Sequence, residues 1–320
     1  MDRRSRRKKK INHRGKMVVS VLIILLLIVA GVFAYWLLGN AKHKQESTPS
    51  STLHQLTRSS SPRQSKTPSD TSKWLQSTAD NQLPILMFHY ASSQAADLAG
   101  GSNWMPDATL EADLALLQKQ GYTTLTARQA VQVMTTHTKP SSKMVWLTFD
   151  DGSLTLYRDV FPLLKKYHMH ATGAIITGFV DKGQSGILTW DQIKEMKASG
   201  LVDFVSHTVS HLDLGTLDQA QATEQLEQSK KELDQQLNQK TDIIVYPAGG
   251  YNAATLDIAK SLGYKYGLLD PGRNGAVAKE ATLSDGLLTL PRFRMASTTG
   301  PDALFPYLED ATRYNEAHTK

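Results

Sequence analysis

Two rhythms of apolar residues run through most of this chain. Short, mostly apolar runs rich in β-branched and aromatic residues fall at 84–90, 123–126, 144–150, 171–177, 202–206, 243–247, 264–269 and 289–293, and read as buried strands. Between them apolar residues recur at helical spacing over 108–120, 127–134, 154–167, 190–198, 217–237, 253–262 and 302–309. Regular alternation of this kind predicts a parallel sheet covered by helices. No residue-level repeat accompanies it. About 230 residues of such units suit either a closed (β/α) barrel or an open doubly wound sheet.

A different pattern precedes the alternation. Residues 17–38 form an uncharged run of 22 positions ending in Tyr35, Trp36 and two leucines. As a helix rising about 1.5 Å per residue, this run spans a hydrocarbon core of roughly 30 Å, and its terminal aromatics suit a membrane interface. Residues 39–81 then turn to Ser, Thr, Gln, Lys and Pro, too polar to bury a core. The predicted organisation is a basic cytoplasmic tail at 1–16, a transmembrane signal anchor at 17–38, a Ser/Thr-rich linker at 39–81 and a folded domain at 82–315. A cleaved signal peptide is the competing reading. The apolar run is longer than such peptides use, however, and no small-x-small site precedes Lys42.

Charge sharpens this picture. The whole chain carries +6, but residues 1–16 hold nine Lys/Arg against one Asp, so everything after Lys16 sums to −2. The basicity belongs to the tail, where it orients the span with its N-terminus in the cytoplasm and the folded domain outside the cell membrane. A nucleic-acid surface on the domain is disfavoured. The absence of cysteine rules out disulfides, thiolate metal sites and a cysteine nucleophile.

Two strand ends carry the candidate chemistry. The strand at 144–150 runs into Asp150-Asp151-Gly152, and that at 202–206 into His207-Thr208-Val209-Ser210-His211. Adjacent carboxylates repel at the edge of a core unless a cation relieves them, and Gly152 lets the chain turn both toward one site. An Asp-Gly turn alone would explain the first motif equally well. Histidines at i and i+4 share one side of a helical turn and can share a metal ion. Together the motifs favour a two-histidine, one-carboxylate site with open positions. Both lie at C-terminal strand ends, where barrels of this type keep their active sites.

The segments Thr148-Phe149-Asp150-Asp151-Gly152 and Ser206-His207-Thr208-Val209-Ser210-His211 resemble the first two motifs of the polysaccharide deacetylase family (NodB homology, carbohydrate esterase family four). Tyr246-Pro247-Ala248-Gly249 occupies the place of its third. The resemblance covers roughly 83–310 and implies a distorted (β/α) barrel of about seven strands. It also implies Asp151, His207 and His211 as metal ligands and Asp150 as the general base. Zn²⁺ is the first expectation, and Co²⁺, Ni²⁺ or Mn²⁺ also suits N,N,O ligation.

Several positions depart from the family pattern. Val245 stands where an Arg usually orients the base, and Arg292 and Arg294 are the candidates to replace it; pairing with a surface carboxylate is the bland alternative for either. No histidine follows a late strand, since His318 is the only one beyond His211. His89, ending the first strand, is a candidate for a catalytic or metal-side role, with a structural cap of the barrel as the alternative. A similar Tyr-His or Phe-His segment opens the extracellular poly-N-acetylglucosamine and peptidoglycan deacetylase branch, which the chain resembles most. The Tyr246 N–H is an expected oxyanion donor by family analogy. Pro247 and Gly249 would shape the substrate loop, and Trp104, Trp190 and Tyr251 offer aromatic faces for a sugar. His168 and His170 read as surface residues.

The resemblance implies a monomeric, metal-dependent hydrolase that removes N-acetyl groups from N-acetylglucosamine units of peptidoglycan or poly-N-acetylglucosamine. An O-acetyl esterase acting on xylan-like or wall sugars is a second reading. A catalytically silent glycan-binding member of the fold is a third.

Overall fold

The computed structural model describes residues 71–320. The basic tail, the apolar run at 17–38 and most of the linker lie outside the described residues. Among the described residues no helix is long and apolar enough to cross a membrane.

Seven parallel strands follow one path: β1 (Ile85–Phe88), β2 (Met144–Phe149), β3 (Ala171–Ile175), β4 (Val202–Ser206), β5 (Ile243–Val245), β6 (Tyr266–Leu268) and β7 (Phe293–Arg294). Their spatial order is β6-β5-β4-β3-β2-β1-β7, and a short strand at Thr123–Thr124 branches off the start of β2. Register runs Ile85 opposite Trp146 and Phe293 opposite Leu86. The path curls back on itself. Leu290 donates to Gly267 O at 2.8 Å and accepts from Leu269 N at 3.0 Å, so the segment before β7 reaches the β6 edge. The curled seven-stranded sheet fits the distorted barrel expected.

Alternation along each strand divides the core in two. Val145, Leu147 and Phe149 of β2 join Ala171, Ile175, Val202 and Phe204 in a cluster with helices α1 (Asp107–Gln120), α3 (Phe161–Tyr167), α4 (Trp190–Ala198) and α7 (Pro301–Ala317). The opposite face, with Ile85, Trp146, Ala174, Val205, Val245 and Leu268, packs with helix α2 (Ala127–Thr135). Thr126 and Gln129 cap α2 reciprocally. Asp150 follows Trp146 and Thr148 on this second face, so the strand period itself aims it into the barrel.

Several predicted boundaries move. Helix 154–167 begins as a π-type turn at Leu156–Val160 before α3. The last helix runs to Ala317 rather than 309, and α5 (Gln219–Leu237) starts two residues late. Folded chain also extends outside 82–315. Leu75–Gln76 pairs antiparallel with Thr138–Lys139, Thr78 N donates to His318 O at 2.9 Å, and Lys320 N donates to Gln76 O at 3.0 Å. These contacts cluster where Met144 begins β2, at the end of the barrel away from Asp150.

Candidate active site

The two aspartates part company immediately after β2. Asp150 N donates to Phe88 O at 2.9 Å, continuing the ladder for one residue and leaving the side chain inside. Its carboxylate is 3% exposed and receives a bidentate fork from Arg292, Nη1 to Oδ1 at 2.9 Å and Nη2 to Oδ2 at 2.8 Å. Arg292 is itself fully buried, and is held by Nε to Leu269 O at 2.7 Å and Nη1 to Thr148 Oγ1 at 3.1 Å. Burial pushes the Asp150 pKa up, but the charge and hydrogen bonds of Arg292 outweigh it and hold the carboxyl below its ordinary value. Asp150 is thus a fixed, ionised carboxylate.

Asp151 takes φ +72 and Gly152 φ +64, and this left-handed pair swings the second carboxylate toward β4. Asp151 Oδ1 lies 3.3 Å from His207 Nε2 and 3.4 Å from His211 Nε2, while Tyr90 donates its hydroxyl to Oδ2. The three ligand atoms all fall within 4.8 Å of one another. His207 N bonds Ile175 O at 2.9 Å, and its Nδ1 lies 2.8 Å from Val245 O. A carbonyl only accepts, so Nδ1 carries the proton. Burial lowers the His207 pKa, but Asp151 and Asp150 outweigh it and raise it. A metal taking the place of an Nε2 proton would use the lone pair there. That lone pair faces an Asp151 oxygen that is buried without a hydrogen-bond donor. Two electron-rich atoms so placed need a proton or a metal ion between them. Tetrahedral ligands at about 2.0–2.1 Å from zinc stand about 3.3–3.4 Å apart, which the two Asp151–imidazole separations match, so these residues suit a divalent ion.

The histidine spacing works through a different backbone than a helical turn. Residues 208–210 form a tight turn in which Thr208 has φ +67, and His211 follows with φ +55. Thr208 Oγ1 accepts from His211 N at 3.2 Å, and Gln225 of α5 accepts from Ser210 N at 2.9 Å. Thr177 N and Gly178 N bind the carbonyls of Thr208 and Val209 at 3.1 and 3.0 Å.

His89, Tyr90, Asn103, Ala248, Asp270, Arg273 and Arg294 complete a pocket of about 400 Å³ over the two carboxylates. His89 Nδ1 is buried without a partner, and burial pulls its pKa down against the raising pull of Asp150 and Asp151. Chemically, the pocket offers one carboxylate locked by an arginine, one three-atom cation site and one imidazole free to exchange a proton.

A model of the polysaccharide deacetylase family matches residues 137–267. YxkH of Bacillus subtilis, assigned by name to polysaccharide deacetylases, is 38% identical over 241 residues, covering 75% of this chain and 81% of that protein. The chain belongs to the polysaccharide deacetylase family. Among solved structures, the Streptococcus pyogenes deacetylase PplD in complex with acetate shares 34% identity with a TM-score of 0.67, over 72% of this chain and 99% of that one. The poly-β-1,6-N-acetyl-D-glucosamine N-deacetylase of Staphylococcus aureus is 33% identical over 136 residues, 39% of this chain and 47% of that enzyme. This deacetylase is accordingly a hydrolase. The family match contains Asp150, Asp151, His207 and His211 but stops before Arg292, so the arginine that holds Asp150 comes from outside it.

Of the residues expected from sequence, the pocket of this deacetylase gathers Asp150, Asp151, His207, His211, His89, Arg294 and Tyr246. Arg292 contacts Asp150. Arg294 does not: on the same strand face but two residues nearer the C-terminal mouth, its Nη2 pairs with both oxygens of Asp270 at 2.7 Å and its Nη1 with Asn103 Oδ1 at 2.9 Å. The Tyr246 N–H donates to Leu268 O at 3.2 Å, so it is engaged in the sheet rather than free for an oxyanion. Trp104 packs on Tyr90, ring centroids 4.7 Å apart, and Tyr251 packs on Tyr246 at 5.3 Å; neither lines the pocket. Pro247 is buried and Gly249 lies beneath Arg273. Trp190 packs against the outer core with its Nε1 on Asp181 at 2.8 Å. Sequence reasoning missed Asn103, Asp270, Arg273 and Asp213. A charged residue directly after a predicted strand, as Asp270 is, was the available signal.

Proposed function

We propose that this deacetylase hydrolyses the N-acetyl group of N-acetylglucosamine units in a cell-surface polysaccharide, peptidoglycan or poly-N-acetylglucosamine. The observation that carries the reading is the unpartnered Asp151 Oδ1 facing the Nε2 atoms of His207 and His211. Asp151, His207 and His211 would hold a divalent cation, Zn²⁺ first, which polarises the amide carbonyl and acidifies a water. Asp150, kept ionised and oriented by Arg292, takes the proton of the attacking water. A carbon–oxygen bond forms as the amide carbon–nitrogen bond breaks. In this reading His89 would protonate the departing nitrogen, giving acetate and a free amine.

Residues 17–38 serve in this reading as a single-pass anchor, with the N-terminus in the cytoplasm and a monomeric catalytic domain outside. The uncharged run and its basic flank support that placement.

Acetate and free amine released from peptidoglycan, poly-N-acetylglucosamine and acetylated xylan test the proposal. Equal amounts of acetate and amine from an N-acetylated polymer, lost on chelation and restored by metal, are expected. Acetate from xylan alone, without amine, would make the protein an O-acetyl esterase.

A further inference from the structure

The turn after β5 holds two consecutive glycines, and they are required for different reasons. Gly249 has φ +66, and a Cβ there would meet the Cβ atoms of Arg273 and Asp270 at 2.9 and 3.1 Å. Gly250 has an ordinary φ of −78, so its conformation suits any residue; a Cβ there would lie 1.8 Å from Asp213 Oδ1. The doublet clears space for two side chains arriving from other loops. These two meet above it, with Arg273 Nη2 3.6 Å from Asp213 Oδ2. Asp213 is anchored by Gly215 N on Oδ1 at 3.0 Å. The Arg273 loop is tied to the doublet by Asn274, whose Nδ2 donates to Gly249 O at 2.8 Å.

Three guanidiniums surround the carboxylates, and two are held by hydrogen-bonded carboxylates of their own. Arg292 is buried on Asp150, Leu269 O and Thr148, and Arg294 is paired with Asp270 and Asn103. Arg273 lines the same pocket as the Asp151–His207–His211 cluster, is half exposed, and has the Asp213 ion pair but no side-chain hydrogen bond among the described residues.

We propose that Arg273, seated on Gly249–Gly250 and steadied by Asp213, is a recognition residue for an anionic group that the polymer carries beside the acetamide. The group is a carboxylate or a phosphodiester. This inference rests on the deacetylase reading above and narrows its substrate. A guanidinium fork matches either oxyanion geometry, and the loose contact with Asp213 leaves donors for an incoming ligand. Peptidoglycan presents the free carboxylates of its stem peptides, and the lactyl carboxylate of muramic residues stripped of peptide, next to N-acetylglucosamine. A phosphate-substituted wall glycan presents a phosphodiester, and poly-β-1,6-N-acetylglucosamine presents neither.

The test measures kcat and KM of the purified full chain on four substrates: peptidoglycan strands, the same strands with carboxylates amidated, a phosphodiester-bearing N-acetylglucosamine glycan, and neutral poly-β-1,6-N-acetylglucosamine oligomers. Arg273→Gln should lower kcat/KM on an anionic substrate on the order of tenfold, mainly through KM, and far less on the neutral ones. Arg273→Lys should recover most of the loss, and added salt should erode the wild-type preference. Which anionic substrate shows the effect identifies the carboxylate or the phosphodiester as the source. Equal losses on charged and neutral substrates, or Arg273→Lys behaving like Arg273→Gln, would overturn the proposal. Wild type inactive on every N-acetylated polymer would overturn the deacetylase reading itself and the proposal with it.

Discussion

Replacing Arg292 is the sharpest probe of the site. Its fork on Asp150 is closed to water on both sides, and its Nε and Nη1 also serve Leu269 O and Thr148. Arg292→Gln removes the charge that keeps a buried carboxylate ionised, and uncompensated burial raises such groups by up to about 3–5 pKa units. The Asp150 pKa would then climb from below its ordinary value toward or past neutrality. A base is active only when deprotonated, so the acid limb of the kcat/KM profile should move to higher pH, with partial recovery in alkali. Breaking a buried pair from one side also costs about 3–5 kcal/mol of stability. Arg292→Lys keeps the charge and lets the protein fold, but a single ammonium cannot reproduce the fork; kcat should fall by about 10–100-fold with a smaller shift of the acid limb. Initial rates of acetate release between pH 4 and 9, with melting temperatures as the folding control, decide the matter. An acid limb that stays put in Arg292→Gln, with kcat near wild type, would refute the role given to the pair.

Three further outcomes are expected. His207→Ala should drop bound divalent metal, measured by elemental analysis, from about one ion per chain to near none, since His207 is one of three ligands; retention of the ion would refute the site. Asp113 on α1 is buried with both oxygens unpartnered, and burial pushes its carboxyl up to about 7 from 3.8. A raised acid costs the fold nothing below pH 3.8, and the penalty grows until about pH 7, reaching about 2–4 kcal/mol after allowing for residual hydration. Asp113→Asn should therefore melt higher than wild type at pH 8 and lose that advantage by pH 4. Gly250→Ala, whose Cβ would sit 1.8 Å from Asp213 Oδ1, should displace Asp213 and cost about 1–3 kcal/mol in thermal or urea unfolding.

The parts of this structure that could be read from sequence are those governed by side-chain period. The uninterrupted, mostly apolar run at 144–149 gave a buried strand ending at two carboxylates, and the strand period then places Asp150 on the inner face. The charge-bearing strand ends located the pocket. Conformations that a residue name does not announce were out of reach. Asp151 and His211 are left-handed without being glycine, so the histidine pair was assigned to a helical turn it does not form. Long-range partners were equally hidden: Arg292 and Arg294 lie two residues apart, yet only their final placement separates the Asp150 clamp from the Asp270 rim pair. Asn103, Asp213 and Arg273 sit in loops where no motif marks them.

Five of the seven non-glycine residues with positive φ among the described residues, Asp151, Thr208, His211, Ala248 and Asn274, lie in the loops that wall the pocket. Each such residue costs its fold about 1–2 kcal/mol relative to a relaxed backbone. Heat-resistant descendants of this protein would gain most cheaply by turning these positions into glycine, and Ala248→Gly should raise the melting temperature. The same economy at Asp151 or His211 would dismantle the cluster of ligand atoms. Thermal hardening and catalysis therefore compete for the same few backbone positions, and a laboratory selection that screens for heat survival alone should enrich inactive clones there.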